Sequence, residues 1–271
     1  MRNLSDKCIR NFKRLITYIK PNVWLDKTDI ILATYPKSGT TWLRFIFANL
    51  ISIKELNGEI VDYNILNTKF KASFDALTFN MPSFKSMPRI ISTHQIYKRR
   101  YFGNNRSILL YRNPADTMVS YYEYRKSLKN NYYKFDFKHF IRDKKYGLEA
   151  WCRHFNSWKD NPSTILSYED LKSNTFICIK RVLNKFGLCA FNDNEINEAI
   201  KRSDFKNIQR LELERGLDIA AQKKHKENFR FARKGTVGQW VEYFESDDIA
   251  FMKLVLKKHN LLFLDPTSKF L

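Results

Sequence analysis

The chain reads as an α/β protein: a single domain with a central parallel sheet flanked by helices. Three observations predict this. Four short β-branched runs recur along the 271 residues, helical patterns lie between or after them, and no internal repeat or low-complexity tract interrupts the series. With eight glycines in all, a flexible interdomain hinge has little material.

In chain order, the first candidate element is an amphipathic helix within residues 1–28. Ile9, Phe12, Leu15, Ile16 and Ile19 share one face, with Lys7, Arg10, Lys13 and Arg14 around it. A membrane-surface helix or a transit peptide has that pattern too, but a helix packed on the domain of residues 29–271 is the expectation. IILATY (30–35), RIISTH (89–94), SILLY (107–111) and TILSYE (164–169) read as strands. They lack clean alternation, which suits strands buried on both faces of a parallel sheet. WLRFIFANLI (42–51) is nearly all apolar, like a helix inside a domain. Asn113 before Pro114 reads as an N-cap with proline at the first helical position, opening the helix DTMVSYYEYRK. Phe176, Ile177, Val182, Leu183 and Phe186 form a further apolar stripe, with Gly187 as its C-cap. Ser246, Asp247 and Asp248 open a last helix carrying Ile249, Met252 and Leu256.

Composition bounds the function. A 44% hydrophobic content can bury a sizeable core, which excludes wholesale disorder. The net charge of +20, from 48 Lys and Arg against 28 Asp and Glu, favours an anionic partner. Nucleic acid, a membrane surface and a phosphorylated small molecule all qualify, and charge alone does not choose among them. Cys8, Cys152, Cys178 and Cys189 lack CxxC spacing, so neither a disulfide framework nor a zinc cluster is expected, and reduced thiols in a cytoplasm fit. Cys152 and His154 are near neighbours, but two ligands do not make a metal site. No apolar run is long enough to span a bilayer and no signal-peptide core is present.

Each expected strand ends in polar chemistry: Lys37 just after the first, His94 closing the second, Arg112 after the third and Tyr168 near the end of the fourth. Open parallel sheets bind ligands at the carboxyl ends of their strands, so these four side chains should converge on one edge. The stretch TYPKSGTTW (34–42) is a tight strand-to-helix loop, and such a loop leaves backbone N–H groups pointing out of the helix N-terminus. Their partial positive charge attracts anions. Gly39 allows close backbone approach, Thr40 and Thr41 add hydroxyls, and Lys37 adds a full charge, so the loop is suited to a phosphate-like group. It is not the Walker pattern, in which lysine follows a second glycine; here Lys37 precedes the loop's single glycine.

At these residues the chain resembles the cytosolic-type sulfotransferases, which use 3′-phosphoadenosine-5′-phosphosulfate (PAPS). YPKSGTTW (35–42) looks like their 5′-phosphosulfate loop, YRNPADTMVSYYEY (111–124) is similar to their 3′-phosphate motif, and FARKGTVGQW (231–240) resembles their third signature, RKGxxGxW. The three occur in family order, and the likeness runs roughly from Asp29 to Phe244. The resemblance implies a P-loop-like sulfotransferase fold and in-line transfer of a sulfuryl group from PAPS to a hydroxyl (or amine), releasing 3′-phosphoadenosine-5′-phosphate (PAP), with no metal. It assigns Lys37 to the bridging oxygen and Ser38, Gly39, Thr40 and Thr41 to the 5′-phosphate. Arg112 and Ser120 would bind the 3′-phosphate, joined by Arg233, Lys234 and Gly235. Trp42 and Phe205 would sandwich the adenine, with Tyr168 and Ser203 hydrogen-bonding near the base. His94 would be the general base, a role suited to an imidazole.

Some positions depart from the family pattern. Its usual lysine two residues before the histidine is Ser92 here, so a cation from the next loop, Lys98 or Arg99, is the expected substitute. Gln239 stands where GDW has its acid, and Val241 with Glu245 and Ser246 replaces the vertebrate dimer motif. Two other function classes remain: a kinase-like P-loop protein, for which Asp116 or Asp170 would have to hold Mg²⁺, and a basic binder of nucleic acid or an anionic surface. The second draws on YKRRYFGNNR (97–106) and KNNYYKFDFKHF (129–140), which interleave basic and aromatic residues. In the resembled family those stretches border the acceptor pocket, and no nucleic acid is expected. The acceptor is a small molecule, glycan or peptide hydroxyl that residue types alone do not identify.

Overall fold

A computed structural model describes residues 25–76, 81–130, 132–227 and 229–269. The expected N-terminal helix and Cys8 lie outside the described residues. Four strands, β1 (Ile30–Thr34), β2 (Ile90–Thr93), β3 (Arg106–Tyr111) and β4 (Thr164–Ser167), form one sheet in the order β2-β1-β3-β4, with every pair parallel. Ile31 pairs with Ile91 on one side and Ser107 on the other, and Leu109 pairs with Ile165. All five residues of β1 are buried, which is why its sequence shows no polar alternation.

The helices are α1 (Thr40–Glu55), α2 (Tyr63–Thr68), α3 (Arg99–Phe102), α4 (Pro114–Lys126), α5 (Phe137–Arg142), α6 (Leu148–Trp158), α7 (Tyr168–Ser173), α8 (Thr175–Lys185), α9 (Asp193–Arg202), α10 (Phe205–Arg215), α11 (Ile219–Lys224) and α12 (Ser246–Lys258). The central α1 buries Leu43, Phe45, Ile46, Phe47, Leu50 and Ile51 and packs against α9, as a nearly all-apolar helix must. Asn113 caps α4 by accepting the Asp116 N–H at 2.8 Å, with Pro114 following, an arrangement worth about 1 kcal/mol to the helix.

One boundary and one buried face differ from the sequence reading. β4 stops at Ser167, not Glu169, because the Ser167 hydroxyl accepts the Asp170 N–H at 2.9 Å and starts α7. Ser246 opens α12 as expected, with Glu245 ahead of it in a reciprocal capping box with Asp248. On α8 the buried face takes Cys178 and Ile179 with Val182 and Leu183, leaving Ile177 64% exposed. Val182, Leu183 and Phe186 are buried as expected, and helical spacing back from them brings Ile179 inward where Ile177 was expected.

The chain passes from β1 to β2 on one side, then returns to β3 on the other side of β1. That reversal opens a crevice beyond the carboxyl ends of β1 and β3. At the β2 edge, the segment 72–74 runs alongside: Ser92 N–H donates to the Ala72 carbonyl at 3.1 Å, and Phe74 N–H donates to the Ser92 carbonyl at 3.0 Å. The crevice therefore has a wall on that side as well.

Candidate active site

The crevice holds a cavity of about 740 Å³, and the four strand-end side chains Lys37, His94, Arg112 and Tyr168 all line it. The loop between β1 and α1 provides its floor. Gly39 sits at the N-cap of α1 with φ 106°, and no side chain caps the helix. The first-turn N–H groups of α1 thus stay without a side-chain acceptor at the cavity floor. A Cβ at Gly39 would stand 2.8 Å from the Tyr168 ring, so this position needs glycine for space as well as for backbone.

Lys37 has a positive φ of 72°, costly for a non-glycine residue by about 1 kcal/mol, and its side chain lines the cavity. Its Nζ lies 4.9 Å from the centre of the Tyr124 ring and 5.7 Å from that of Phe231. Burial pulls its pKa from 10.5 down to about 8, helped by the charges of Arg112 and Arg233 and opposed by Glu212. The half-buried ammonium has no ion pair among the described residues. An incoming anion would supply one.

His94 is fixed from both ends. Its backbone N–H donates to Asp75 at 2.7 Å, and its Nδ1 lies 2.8 Å from the Thr34 carbonyl. A carbonyl only accepts, so Nδ1 carries the proton and Nε2 keeps a lone pair. Thr34 adds a hydroxyl 3.1 Å from Nδ1 and 2.7 Å from the Thr40 hydroxyl, linking the histidine to the phosphate-type loop.

The opposite wall is the late loop ahead of Trp240, which two buried carboxylates tie down. Asp116 on α4 accepts the N–H groups of Gly238 at 2.8 Å and Trp240 at 3.0 Å. Glu212 on α10 accepts those of Phe231 at 2.8 Å and Ala232 at 3.1 Å. Arg112 donates to the Thr236 carbonyl at 2.7 Å and lies 3.6 Å from Asp116. Arg233 donates to the side-chain oxygen of Gln239 at 2.8 Å. Two buried donors on this wall have no partner among the described residues: Arg112 Nε and Gln239 Nε2. Unpaired buried donors are costly, and both belong to residues that line the cavity.

Gly39, Thr40, Thr41, Trp42, Ser120, Phe205, Arg233, Lys234 and Gly235 join Lys37, His94, Arg112 and Tyr168 around the cavity. Ser38 and Ser203 do not. The Ser38 hydroxyl is fully buried without a partner, and its N–H donates to the Tyr35 carbonyl. Ser203 is also fully buried: its hydroxyl accepts from Asn49 at 2.9 Å and its carbonyl from the Trp42 indole at 3.0 Å. It positions Trp42 from behind. The expected substitute cations are displaced too, because neither Lys98 nor Arg99 lines the cavity and the Lys98 ammonium sits 5.6 Å over the Tyr101 ring. Lys71 lines it instead, beside Ser92. The loop-holding roles of Asp116 and Glu212, and the placement of Tyr124, Phe231 and Lys224, were not read from the sequence. For Asp116 a signal existed in its place three residues after the capping Asn113; for Glu212 there was none.

Residues 27–261 match the sulfotransferase domain family. The chain belongs to that family. Among curated relatives, sulfotransferase 1B1 of Canis lupus familiaris is 26% identical over 262 residues, covering 83% of this chain and 82% of that protein. Sulfotransferase 2A6 of Rattus norvegicus is 29% identical over 233 residues, covering 80% and 78%. Two crystal structures share the fold. Mouse sulfotransferase SULT7A1 complexed with PAP superposes with a TM-score of 0.64 at 22% identity, covering 87% of this chain and 84% of that one. Retinol dehydratase in complex with retinol and PAP gives 0.68 at 19% identity, covering 89% and 83%. Within this sulfotransferase, no helix among the described residues is long and apolar enough to cross a membrane.

Proposed function

We propose that the protein transfers the sulfuryl group of PAPS to a hydroxyl, with His94 as general base and Lys37 as the cation on the departing phosphate. The observation that supports this best is the pair of orphaned buried donors, Arg112 Nε and Gln239 Nε2, on the wall carrying Arg233 and Lys234. A phosphate against that wall would offer acceptors to the residues that carry them, and Arg112 would meet it with a forked guanidinium already oriented by Thr236. The N-terminus of α1 would hold the other phosphate, and Trp42 and Phe205 the purine ring. Bound there, PAPS supplies an electrophilic sulfur. The acceptor oxygen forms the new O–S bond while the bond from sulfur to the bridging phosphate oxygen breaks, and the acceptor proton goes to Nε2 of His94. Lys37 and the helix N-terminus stabilise the negative charge left on the phosphate, so fixed cations do the work of a metal ion.

The kinase-like alternative needs a free acid for Mg²⁺. Both oxygens of Asp116 already accept backbone N–H groups of the late loop, which argues against that use. The test of the proposal is calorimetric. PAP should bind far more tightly than AMP, because each charge-assisted contact to the 3′-phosphate is worth about 1.5–3 kcal/mol. Labelled sulfate should then pass from PAPS to a phenol. Equal affinities for the two nucleotides would remove Arg112, Ser120, Arg233 and Lys234 from the proposed phosphate site.

A further inference from the structure

The cavity carries more positive charge than the proposed donor needs. Beyond Lys37, Arg112, Arg233 and Lys234, it is lined by Lys71 from the segment before β2, Arg125 near the end of α4 and Lys224 at the end of α11. Lys71 is placed by its surroundings. Arg44 donates to the carbonyls of Leu66 at 3.0 Å and Phe70 at 3.3 Å, fixing the turn that delivers it. The following residues pair in parallel with β2, Ser73 opposite Ser92. Side chains alternate along such a pair, so Lys71 and Ser73 share a side with Ser92 and His94, and all four line the cavity. Ser92, where the family has its lysine, donates its hydroxyl to the Ala72 carbonyl at 3.0 Å and offers no charge.

Lys224 reaches the same cavity from the end of α11. Its ammonium donates to the Tyr124 hydroxyl at 2.8 Å, on the ring that Lys37 also faces. Its carbonyl accepts the Lys129 N–H at 3.0 Å, which holds the end of α11 in place. Neither Lys71 nor Lys224 has an ion-pair partner among the described residues. Carboxylates nearby are already committed. Asp204, the one acid lining the cavity among the described residues, caps α10 next to Phe205 by accepting the Lys206 N–H at 2.8 Å. Asp75 accepts from the His94 N–H and, at 3.1 Å, from the Thr93 hydroxyl. Cations from separate elements facing one space that a single carboxylate lines among the described residues form a field that favours an anion.

Resting on the sulfotransferase reading, we propose that the acceptor is itself anionic: a hydroxyl compound bearing a carboxylate or phosphate, held by Lys71 and Lys224 with its hydroxyl at His94. Tyr63, Tyr121 and Tyr124 line the same cavity and suit an acceptor with a flat ring. The anionic group takes no part in bond-making; it orients the hydroxyl and selects the acceptor.

The experiment uses the full chain at saturating PAPS with matched phenols: neutral 4-ethylphenol, 3-(4-hydroxyphenyl)propanoate, 4-hydroxybenzylphosphonate and cationic tyramine. The same phenols are titrated into the enzyme–PAP complex by calorimetry. Expected is a kcat/KM at least about tenfold higher for an anionic phenol than for 4-ethylphenol, with tyramine lowest. Preference for the carboxylate over the phosphonate, or the reverse, assigns the anion. Lys71→Ala and Lys224→Ala should each shrink the anionic-to-neutral ratio about tenfold, Lys71→Arg should restore it, and PAP binding reports that each variant is folded. PAP binding combined with equal or absent affinity for anionic and neutral phenols overturns the proposal, as does a ratio unchanged in both alanine variants. Failure to bind PAP overturns the sulfotransferase reading instead.

Discussion

At the scale of single residues, protonation decides what the site can do. Lys37 in the ligand-free protein sits below the usual lysine range because burial disfavours its charged form and Arg112 and Arg233 repel it. The sign follows: as pH rises through about 8 the ligand-free ammonium is lost, whereas a bound phosphate, already fully ionised by then, holds it charged. PAP affinity should therefore be nearly flat below that pH and weaken by up to about tenfold per unit above it, as measured by calorimetry. Lys37→Met should remove the dependence and lower turnover by about a hundredfold or more. A flat profile in the wild type removes Lys37 from the phosphate. His94 makes no contact that a nucleotide would need, since its Nδ1 is spent on Thr34 and its Nε2 is free for the acceptor. His94→Ala should thus cost about 10²–10⁴-fold in turnover while PAP affinity stays within error. Loss of PAP binding in that variant would make the histidine structural.

At the scale of elements, the late loop is where the proposed donor site is assembled. It has little regular structure between Phe229 and Gly238, and it holds its shape through Glu212 at one end and Asp116 at the other. Between these anchors Gly235 adopts φ 61°, and a Cβ there would stand 2.6 Å from the Phe205 ring. Gly235→Ala should therefore displace Phe205 and strain the loop together. The expected result is at least about a tenfold loss of PAP affinity, since stacking on an aromatic ring is worth about 1–3 kcal/mol per base. Near-wild-type PAP binding in that variant would place the adenine elsewhere.

At the scale of the whole molecule, the charge of +20 and the organisation of the sheet have to be read together. The cations that matter for chemistry are those brought to one sheet edge, while most of the rest cover the surface as partly exposed side chains, several in ion pairs such as Lys54 with Glu195 and Lys180 with Asp193. Such a surface attracts polyanions without specificity. DNA retardation in a gel should be visible at low salt and vanish at moderate salt, because phosphate contacts release counterions. PAP binding, made in a partly enclosed cavity, should persist at that salt concentration. Retardation that survives, with PAP binding lost, would favour the nucleic-acid binder.

The fold class, the four strands and the phosphate-type loop were determined by the sequence alone, because each depends on local chemistry. Buried parallel strands require β-branched runs, Asn113-Pro114 starts a helix wherever it stands, and a lysine beside Gly39 at a strand-to-helix turn makes an anion site by backbone geometry. Of the fifteen site residues expected from the sequence, thirteen, all but Ser38 and Ser203, line one cavity. Ser38 and Ser203 lie off that cavity because motif membership says nothing of direction: the Ser38 hydroxyl is buried, and the Ser203 carbonyl supports the Trp42 indole from behind. The proposed acceptor side was decided only by tertiary structure. Lys71, Arg125 and Lys224 stand far apart in the chain with no motif around the lysines, and only the pairing of residues 72–74 with β2 and the return of α11 past α4 bring their charges into one space. A field made by distant side chains has no local signature, because it arises from where the backbone goes and not from which residues are neighbours.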